Sequence, residues 1–458
     1  ENDKKISVKD VIRIDSELLD NISDLIEQHE STSLNNILTD LHPADIAEII
    51  NHLAFQDARF VFELLDTETA SEVVVELDEN LRERILKKID TEKITDIVDE
   101  LETDDATDIV SDLPEPIAEE VLENIDTEDS QDVKELLKYP EDSAGGIMSS
   151  EFVFVYEDSS VKTAIKTVRK HAEEFENIYY IYVLNYLGEL KGVVNLKSLL
   201  VNSLRKKINS VMEEDLIYVT PEVDQEEVAI MMKKYDLVSI PVVDKSKIML
   251  GRITIDDVVD VIQEEADEDI QKLAGLSEEQ ESSDSIFRIS RIRLPWLIIA
   301  LAIEFLGVWL LSEYEHILKD FTIAAFFIPV VMAMGGSTGT QASIVMVKGL
   351  GAGEVWLSGS IKKLIKEFSV ALLNGLALGI LLFLVSFIFF REIKLVLVIS
   401  LALLIIIIFS TMIGATIPVI LKRLNIDPAV ATGPFVTTTN DVLGLFIYMI
   451  IITLFIIP

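Results

Sequence analysis

Thr437-Thr438-Thr439-Asn440-Asp441-Val442-Leu443-Gly444 interrupts the last long apolar stretch of the chain, Val430 to Pro458. A carboxylate at membrane depth is costly unless it faces a wet cavity or a partner, so Asp441 marks a candidate ion or proton site. No basic residue lies inside any other apolar stretch to neutralise it.

Four more such stretches precede it: Trp296 to Leu311, Phe321 to Met346, Phe368 to Phe390 and Leu395 to Leu421. About 20 apolar residues cross a bilayer, so the five read as a helical membrane domain with its termini on opposite sides. Arg288, Arg291, Arg293, Lys348, Lys362, Lys363, Lys366, Lys422 and Arg423 fall on one side, against Lys319, Arg391 and Lys394 on the other. The positive-inside rule then makes the long N-terminal part cytoplasmic and puts the C-terminus outside, a multi-pass arrangement in the cell membrane. With that orientation Gly335 lies 14 residues from the outer start of its stretch and Asp441 lies 11 from the inner start of its own. At a rise of about 1.5 Å per residue, both polar runs sit near mid-membrane.

The second stretch carries Gly335-Gly336-Ser337-Thr338-Gly339-Thr340-Gln341. Gly335 and Gly339 form a small-xxx-small pair, repeated by Gly375 and Gly379 in the third stretch, and helix packing is the preferred reading for the glycines alone. Glu304 in the first stretch is a second intramembrane acid, readable as snorkelling, interfacial or functional. Carboxylate, hydroxyl and carbonyl donors are hard, and suit Mg²⁺, Ca²⁺ or Mn²⁺ rather than Zn²⁺ or Cu⁺. One carboxylate per chain is too few for a dehydrated Ca²⁺ cage, whereas Mg²⁺ keeps most of its water and uses one or two. A two-fold dimer would supply two.

Charge divides the chain. Of 39 basic and 79 acidic residues, 12 and 9 lie from Ile286 onward, leaving about −43 on the first 285 residues and about +3 on the rest. Such a polyanion argues against nucleic acid and for cations as partners. There is no cysteine, which removes disulfides and thiolate metal sites. The chain starts Glu1-Asn2-Asp3-Lys4-Lys5, so a start trimmed of its initiator Met is expected and no cleavable signal peptide is read there.

In the acidic part an apolar residue recurs every 12 positions, at Leu53, Leu65, Leu77, Ile89, Leu101, Leu113 and Ile125, often followed by Asp, as in Asp66, Asp78, Asp90 and Asp126. This predicts short helices with acidic or Thr caps, stacked as an all-α solenoid. Glu72, Asp104, Asp105 and Asp108 lie on its acidic surface. From Ile147 to about Ile262 two α/β units align: Ile147-Met148-Ser149 with Val211-Met212-Glu213, Tyr180-Ile181-Tyr182-Val183 with Ile240-Pro241-Val242-Val243, and Gly192-Val193-Val194 with Gly251-Arg252-Ile253. They resemble tandem cystathionine-β-synthase-type (CBS) domains, which sense adenine nucleotides or ions. Thr254 and Asp257 match the family's ribose-holding pair, implying at most weak ATP binding there. The first copy reads Asn195-Leu196-Lys197-Ser198 and lacks the acid.

The connector Gln263 to Arg293 places Glu265, Glu268 and Asp269 on one helix face, where like charges repel unless a cation neutralises them. These parts, in this order, resemble the MgtE family of bacterial magnesium channels and transporters. The resemblance rests on Gly-Gly-Ser-Thr-Gly-Thr-Gln, on Asp257-Val258-Val259-Asp260 leading into Glu265-Ala266-Asp267-Glu268-Asp269-Ile270, and on Asn440-Asp441-Val442-Leu443-Gly444. It implies an acidic N domain (1–140), a CBS pair (141–203 and 204–262), a plug helix (263–293) and a five-helix membrane domain (294–458). It also implies a homodimer in the lipid bilayer, no catalytic residue, and a pore Mg²⁺ at Asp441 with Thr437 and Asn440, lined by Gly335, Gly336, Ser337, Thr338, Gly339 and Gln341. Cytosolic Mg²⁺ would close that pore through Glu72, Asp104, Asp108, Asp257, Asp260, Glu265, Glu268 and Asp269. The family often has Gly-Asn-Thr-Gly-Asn-Gln where this chain has Gly336-Ser337-Thr338-Gly339-Thr340-Gln341, so the pore lining differs there. Two competing classes remain: an intramembrane hydrolase, which would need Glu304 as its second acid, and a CBS-gated anion channel or non-transporting sensor, disfavoured by an acidic pore without basic residues.

Overall fold

The twelve-residue spacing folds as expected into short stacked helices: α1 (Ser16–Glu27), α2 (Ser31–Thr39), α3 (Pro43–His52), α4 (Phe55–Leu64), α5 (Thr67–Val75), α6 (Glu79–Leu86), α7 (Thr91–Val98), α8 (Thr103–Ser111), α9 (Glu115–Asn124) and α10 (Thr127–Leu136). The computed structural model describes residues 16–28, 30–172, 175, 177–276, 286–351, 360–424, 426–431 and 434–456. It divides into two compact units, Glu1–Ile262 and Gln263–Pro458.

In the first unit alternate helices pack on one another, α3 on α5, α5 on α7 and α7 on α9. Each recurrent apolar residue leaves its helix and turns back to the core. Leu65, Leu77, Leu113 and Ile125 are buried, while Leu53, Ile89 and Leu101 pack against the same cluster. The acidic caps are only partly as expected. Asp66 Oδ1 accepts from the Thr69 amide at 2.9 Å, but Asp78 and Asp90 occupy N-cap positions without a side-chain capping bond. The Asp78 and Asp126 amides instead donate to Asn51 Oδ1 and Asp99 Oδ1, at 3.1 and 3.0 Å, tying successive layers together.

The CBS pair contributes β1 (Phe154–Tyr156), α11 (Val161–Lys170), β2 (Tyr180–Leu184), β3 (Leu190–Asn195), α12 (Leu196–Val201), α13 (Gln225–Tyr235), β4 (Ser239–Val243), β5 (Met249–Thr254) and α14 (Ile255–Ala274). β1 runs parallel to β2, and β2 and β4 run antiparallel to β3 and β5. The aligned Met segments are exchanged between copies: Ser149 bridges Arg252 on β5, and Glu213 bridges Val193 on β3. A Cβ on Gly192 would come within 2.8 Å of Glu213 O, and one on Gly251 would run into Ser149 O. The paired glycines exist to admit these crossing segments.

The second unit holds α15 (Ile286–Glu313), α16 (Glu315–Asp320), α17 (Thr322–Gly351), α18 (Ser360–Phe390), α19 (Ile393–Arg423) and α20 (Pro434–Ile456). All but α16 are long and apolar enough to cross a membrane. α19 is the central helix, packed on α17, α18 and α20. Several helix ends differ from the apolar limits. α15 begins at Ile286 and carries Pro295 inside it, because polar residues continue a helix that hydropathy alone would stop. The connector is not one helix over 263–293: α14 starts at Ile255 within the second CBS copy and ends at Ala274, and 277–285 lie outside the described residues.

Candidate functional site

In the second unit α17 and α20 bring the two polar runs together. Thr340 Oγ1 lies 3.4 Å from Thr437 Oγ1. One turn away, a Cβ on Gly336 would stand 3.7 Å from Asp441 Oδ1 and 3.5 Å from Thr437 Cγ2. As one index falls by four the other rises by four, the register of antiparallel helices meeting on one face. The result is a seam of hydroxyl and carboxylate oxygens between α17 and α20. Asp441, Thr437 and Thr340 are half-buried, and Ser337 and Gln341 are exposed.

The remaining residues of these runs pack helices. A Cβ on Gly335 would meet Ile406 Cγ2 at 3.0 Å and Ser410 Oγ at 3.2 Å, so this glycine seats α17 on α19. Gly339 is pressed against the Asn440 amide and against Gly414, whose own Cβ would collide with the Gly339 backbone. Thr338 donates to Met334 O at 2.9 Å, within its own helix. Asn440 is 2 % exposed, its Nδ2 and Oδ1 have no hydrogen-bond partner among the described residues, and it lies wedged against Gly339 of α17. Overpacking of this kind costs about 1–3 kcal/mol. Gly414→Ala is therefore expected to lower the melting temperature of the detergent-solubilised protein by several degrees; an unchanged melting curve would show that α17 and α19 separate freely.

A second constellation forms in the first unit, where α8 meets the CBS pair. Thr103, 2 % exposed, donates its hydroxyl to Glu151 Oε2 at 2.7 Å and accepts from the Ser150 amide at 2.8 Å. Buried Arg252 on β5 donates to Glu102 Oε1 and Oε2 at 3.1 and 2.9 Å and to Glu151 O at 2.8 Å. These contacts hold the first turn of α8 against the start of α14, so Asp104 and Asp105 come into the field of Asp257. Burial, then the charges of Asp105, Asp257 and Glu102, push Asp104 well above the carboxylate range. Burial, then Asp257, Asp108 and Glu102, push Asp105 up to about 7. Asp257 is raised by burial and the Asp256 charge, against hydrogen bonds from Thr254, and Asp260 by burial and then Glu76, Asp257 and Asp256. Carboxylates raised together in this way favour uptake of a positive charge. Among the described residues no three carboxylate or imidazole groups enclose a bare metal ion, but a hydrated Mg²⁺ asks for only one or two carboxylates.

Of the acids expected here, Asp104, Asp257 and Asp260 come within one another's field, while Asp108 is exposed and bears on Asp105 of its own helix. Glu72 is exposed, and Glu76, one turn further on, is the acid that bears on Asp260. Asp105, expected on the acidic surface, is joined here by Glu102, Asp256 and Arg252, whose one signal in the sequence is the density of acids around residue 104. The expected ribose pair is engaged with itself: Asp257 Oδ2 accepts from the Thr254 amide at 2.9 Å and its hydroxyl at 2.7 Å, a capping arrangement at the start of α14. Beside Arg252, a cavity of about 10 Å³ lined by Phe175, Tyr182 and Ser239 has room for one water at most.

In the second unit Glu268 has a neutralising partner, Lys272, one turn along α14 at 2.5 Å. Lys272 also donates to Asp427 at 2.7 Å. Burial opposes the Lys272 charge, but these two bonds raise its pKa above that of an ordinary lysine. Asp269 is raised by burial and by Asp427.

The family models agree with this layout. Residues 41–142 match the MgtE intracellular N domain, 144–204 and 208–264 match CBS domains, and 328–451 match the MgtE divalent cation transporter domain. The chain is 32% identical over 440 residues, 96% of its length and 98% of the relative's, to the magnesium transporter MgtE of Bacillus subtilis. It is 37% identical over 322 residues, 69% of its length and 71% of the relative's, to that of Thermus thermophilus. A crystal structure of the cytosolic domain of the Mg²⁺ channel MgtE in complex with ATP matches with a TM-score of 0.50 at 32% identity, covering 53% of this chain and 99% of that one. With N domain, CBS pair and membrane helices matched in order along nearly its whole length, the chain belongs to the MgtE family of divalent cation transporters, a family of transporters and not of enzymes.

Proposed function

We propose that this protein carries Mg²⁺ across the cell membrane past Asp441 and that cytosolic Mg²⁺ shuts it by neutralising the acidic constellations. The observation that carries the first part is the Gly336/Asp441 and Thr340/Thr437 seam, whose hard oxygen donors and single carboxylate suit a largely hydrated Mg²⁺. Asp441 is the ion-holding residue, Thr437 lines its path, and a two-fold dimer doubles the carboxylates. The clustered basic residues at the inner helix ends support a cytoplasmic acidic part and an external C-terminus.

The regulatory part rests on Asp104, Asp105, Asp108, Asp257 and Asp260, whose mutual repulsion a cation would relieve, and on Glu265, Glu268 and Asp269 of α14. Mg²⁺ that binds only when such acids converge stabilises that one state. ATP is assigned at most a weak role, because Thr254 and Asp257 already satisfy each other.

The test is Mg²⁺ influx into proteoliposomes. Wild-type influx should fall severalfold when millimolar Mg²⁺ bathes the soluble part, in step with Mg²⁺-dependent protection of that part from protease. Asp257→Asn with Glu265→Gln should abolish both responses. Current carried by chloride would overturn the transport reading, and protection indifferent to Mg²⁺ would overturn the gate.

A further inference from the structure

Glu304 is an acid in the first membrane helix that the pore assignment leaves without a task. A Cβ on Gly307 would stand 3.7 Å from Leu445 Cδ2 of α20 and 3.9 Å from Glu304 Oε2. The Glu304 carboxyl therefore lies on the side of α15 that meets α20. Asp441 is one helical turn before Leu445, as Glu304 is about one turn before Gly307, and with both helices running the same way across the membrane the two acids fall opposite each other. The Glu304 carboxyl is near enough to Asp441 to act on it electrostatically, and both side chains are half-buried. Asp441 is thus bracketed, with α17 and its hydroxyls on one flank and the Glu304 carboxyl on the other.

We propose that Glu304 is a specificity-determining residue for transport, giving each chain a second carboxylate at the Asp441 ion position and so favouring a doubly charged cation over a singly charged one. The proposal rests on the assignment of Asp441 as the ion-holding residue. Two facing carboxylates at membrane depth repel each other unless positive charge lies between them. A dication satisfies both, whereas K⁺ leaves one charge over. The competing role is structural, a protonated Glu304 donating a hydrogen bond to Asp441, and Glu304→Gln separates the two. Glutamine keeps the shape and the donor but has no charge, so a merely structural Glu304 would tolerate it.

The experiment measures Mg²⁺ and K⁺ flux in proteoliposomes for wild type, Glu304→Gln, Glu304→Asp and Asp441→Asn. The expected result is at least a fivefold rise in half-saturating Mg²⁺ and a new K⁺ leak in Glu304→Gln, with Glu304→Asp returning both most of the way to wild type. Where the glutamine variant fails to fold, Glu304→Ala is read by the same two quantities. Wild-type half-saturation and no K⁺ leak in the folded neutral variant overturn the proposal. Normal Mg²⁺ flux in Asp441→Asn instead overturns the assignment of Asp441 itself, so the two failures are distinct.

Discussion

Mg²⁺ uptake by the Asp441→Ala protein is expected to fall to the level of empty liposomes, with the protein still folded and inserted. Asp441 is half-buried between Gly336 and the Thr340/Thr437 pair, so shortening it removes no large packing contact. What is lost is charge. A carboxylate about 5 Å from a hydrated dication, with a water between them, is worth about 2 kcal/mol even at the dielectric constant of bulk water and several times that in a partly desolvated seam. The smaller figure already exceeds a tenfold loss of occupancy, because 1.4 kcal/mol is a factor of ten. Asp441→Asn, which keeps the shape, should be nearly as inactive. Uptake above one-tenth of wild type in both variants would mean that the ion takes another route.

The membrane seam was legible because depth is arithmetic: two polar runs in oppositely directed helices can be matched by counting from the helix ends. The solenoid was legible because its period repeats over several turns of chain. The contacts that set the soluble constellation were not, since Arg252 and Glu102 are separated by 150 positions and nothing local in either segment announces the other. The Lys272 pair is hidden for a related reason: its partner Asp427 lies beyond four membrane helices. Asn440 shows a further limit. Its neighbour Asp441 made it look pore-facing, but adjacent helical residues point about 100° apart, and its amide is buried against Gly339. The Thr254/Asp257 spacing, which the resemblance makes a ribose-holding pair, also suits a helix cap, and the cap is the use that the geometry shows.

Protons and Mg²⁺ should compete for the contact between α8 and α14. The groups that face it are Asp104, Asp105 and Asp108 on α8, Glu102 before it, Asp256, Asp257 and Asp260 on α14, and Glu76 and Glu151, with Arg252 and Arg82 as the counter-charges. Asp105 is held up to about 7 in the folded protein, against an ordinary aspartate value near 3.9. A carboxyl raised on folding binds its proton more tightly in the native state, so its contribution to stability is fully present at low pH and is lost as pH climbs towards the folded value. From pH 6 to pH 8 without Mg²⁺, Asp105 alone should cost the first unit roughly 1 kcal/mol, which lowers the melting temperature of a unit this size by about 2–4 °C. Asp104, raised in the same direction, adds to the fall. Millimolar Mg²⁺ should restore the loss at pH 8 and change less at pH 6, where Asp105 already carries its proton, and its binding at pH 7 should release protons. Asp105→Asn should flatten the pH dependence and weaken the Mg²⁺ response together. Melting curves of the full-length protein in detergent, taken at both pH values with and without Mg²⁺, decide the matter: a Mg²⁺ stabilisation as large at pH 6 as at pH 8 would place the regulatory ion away from these acids.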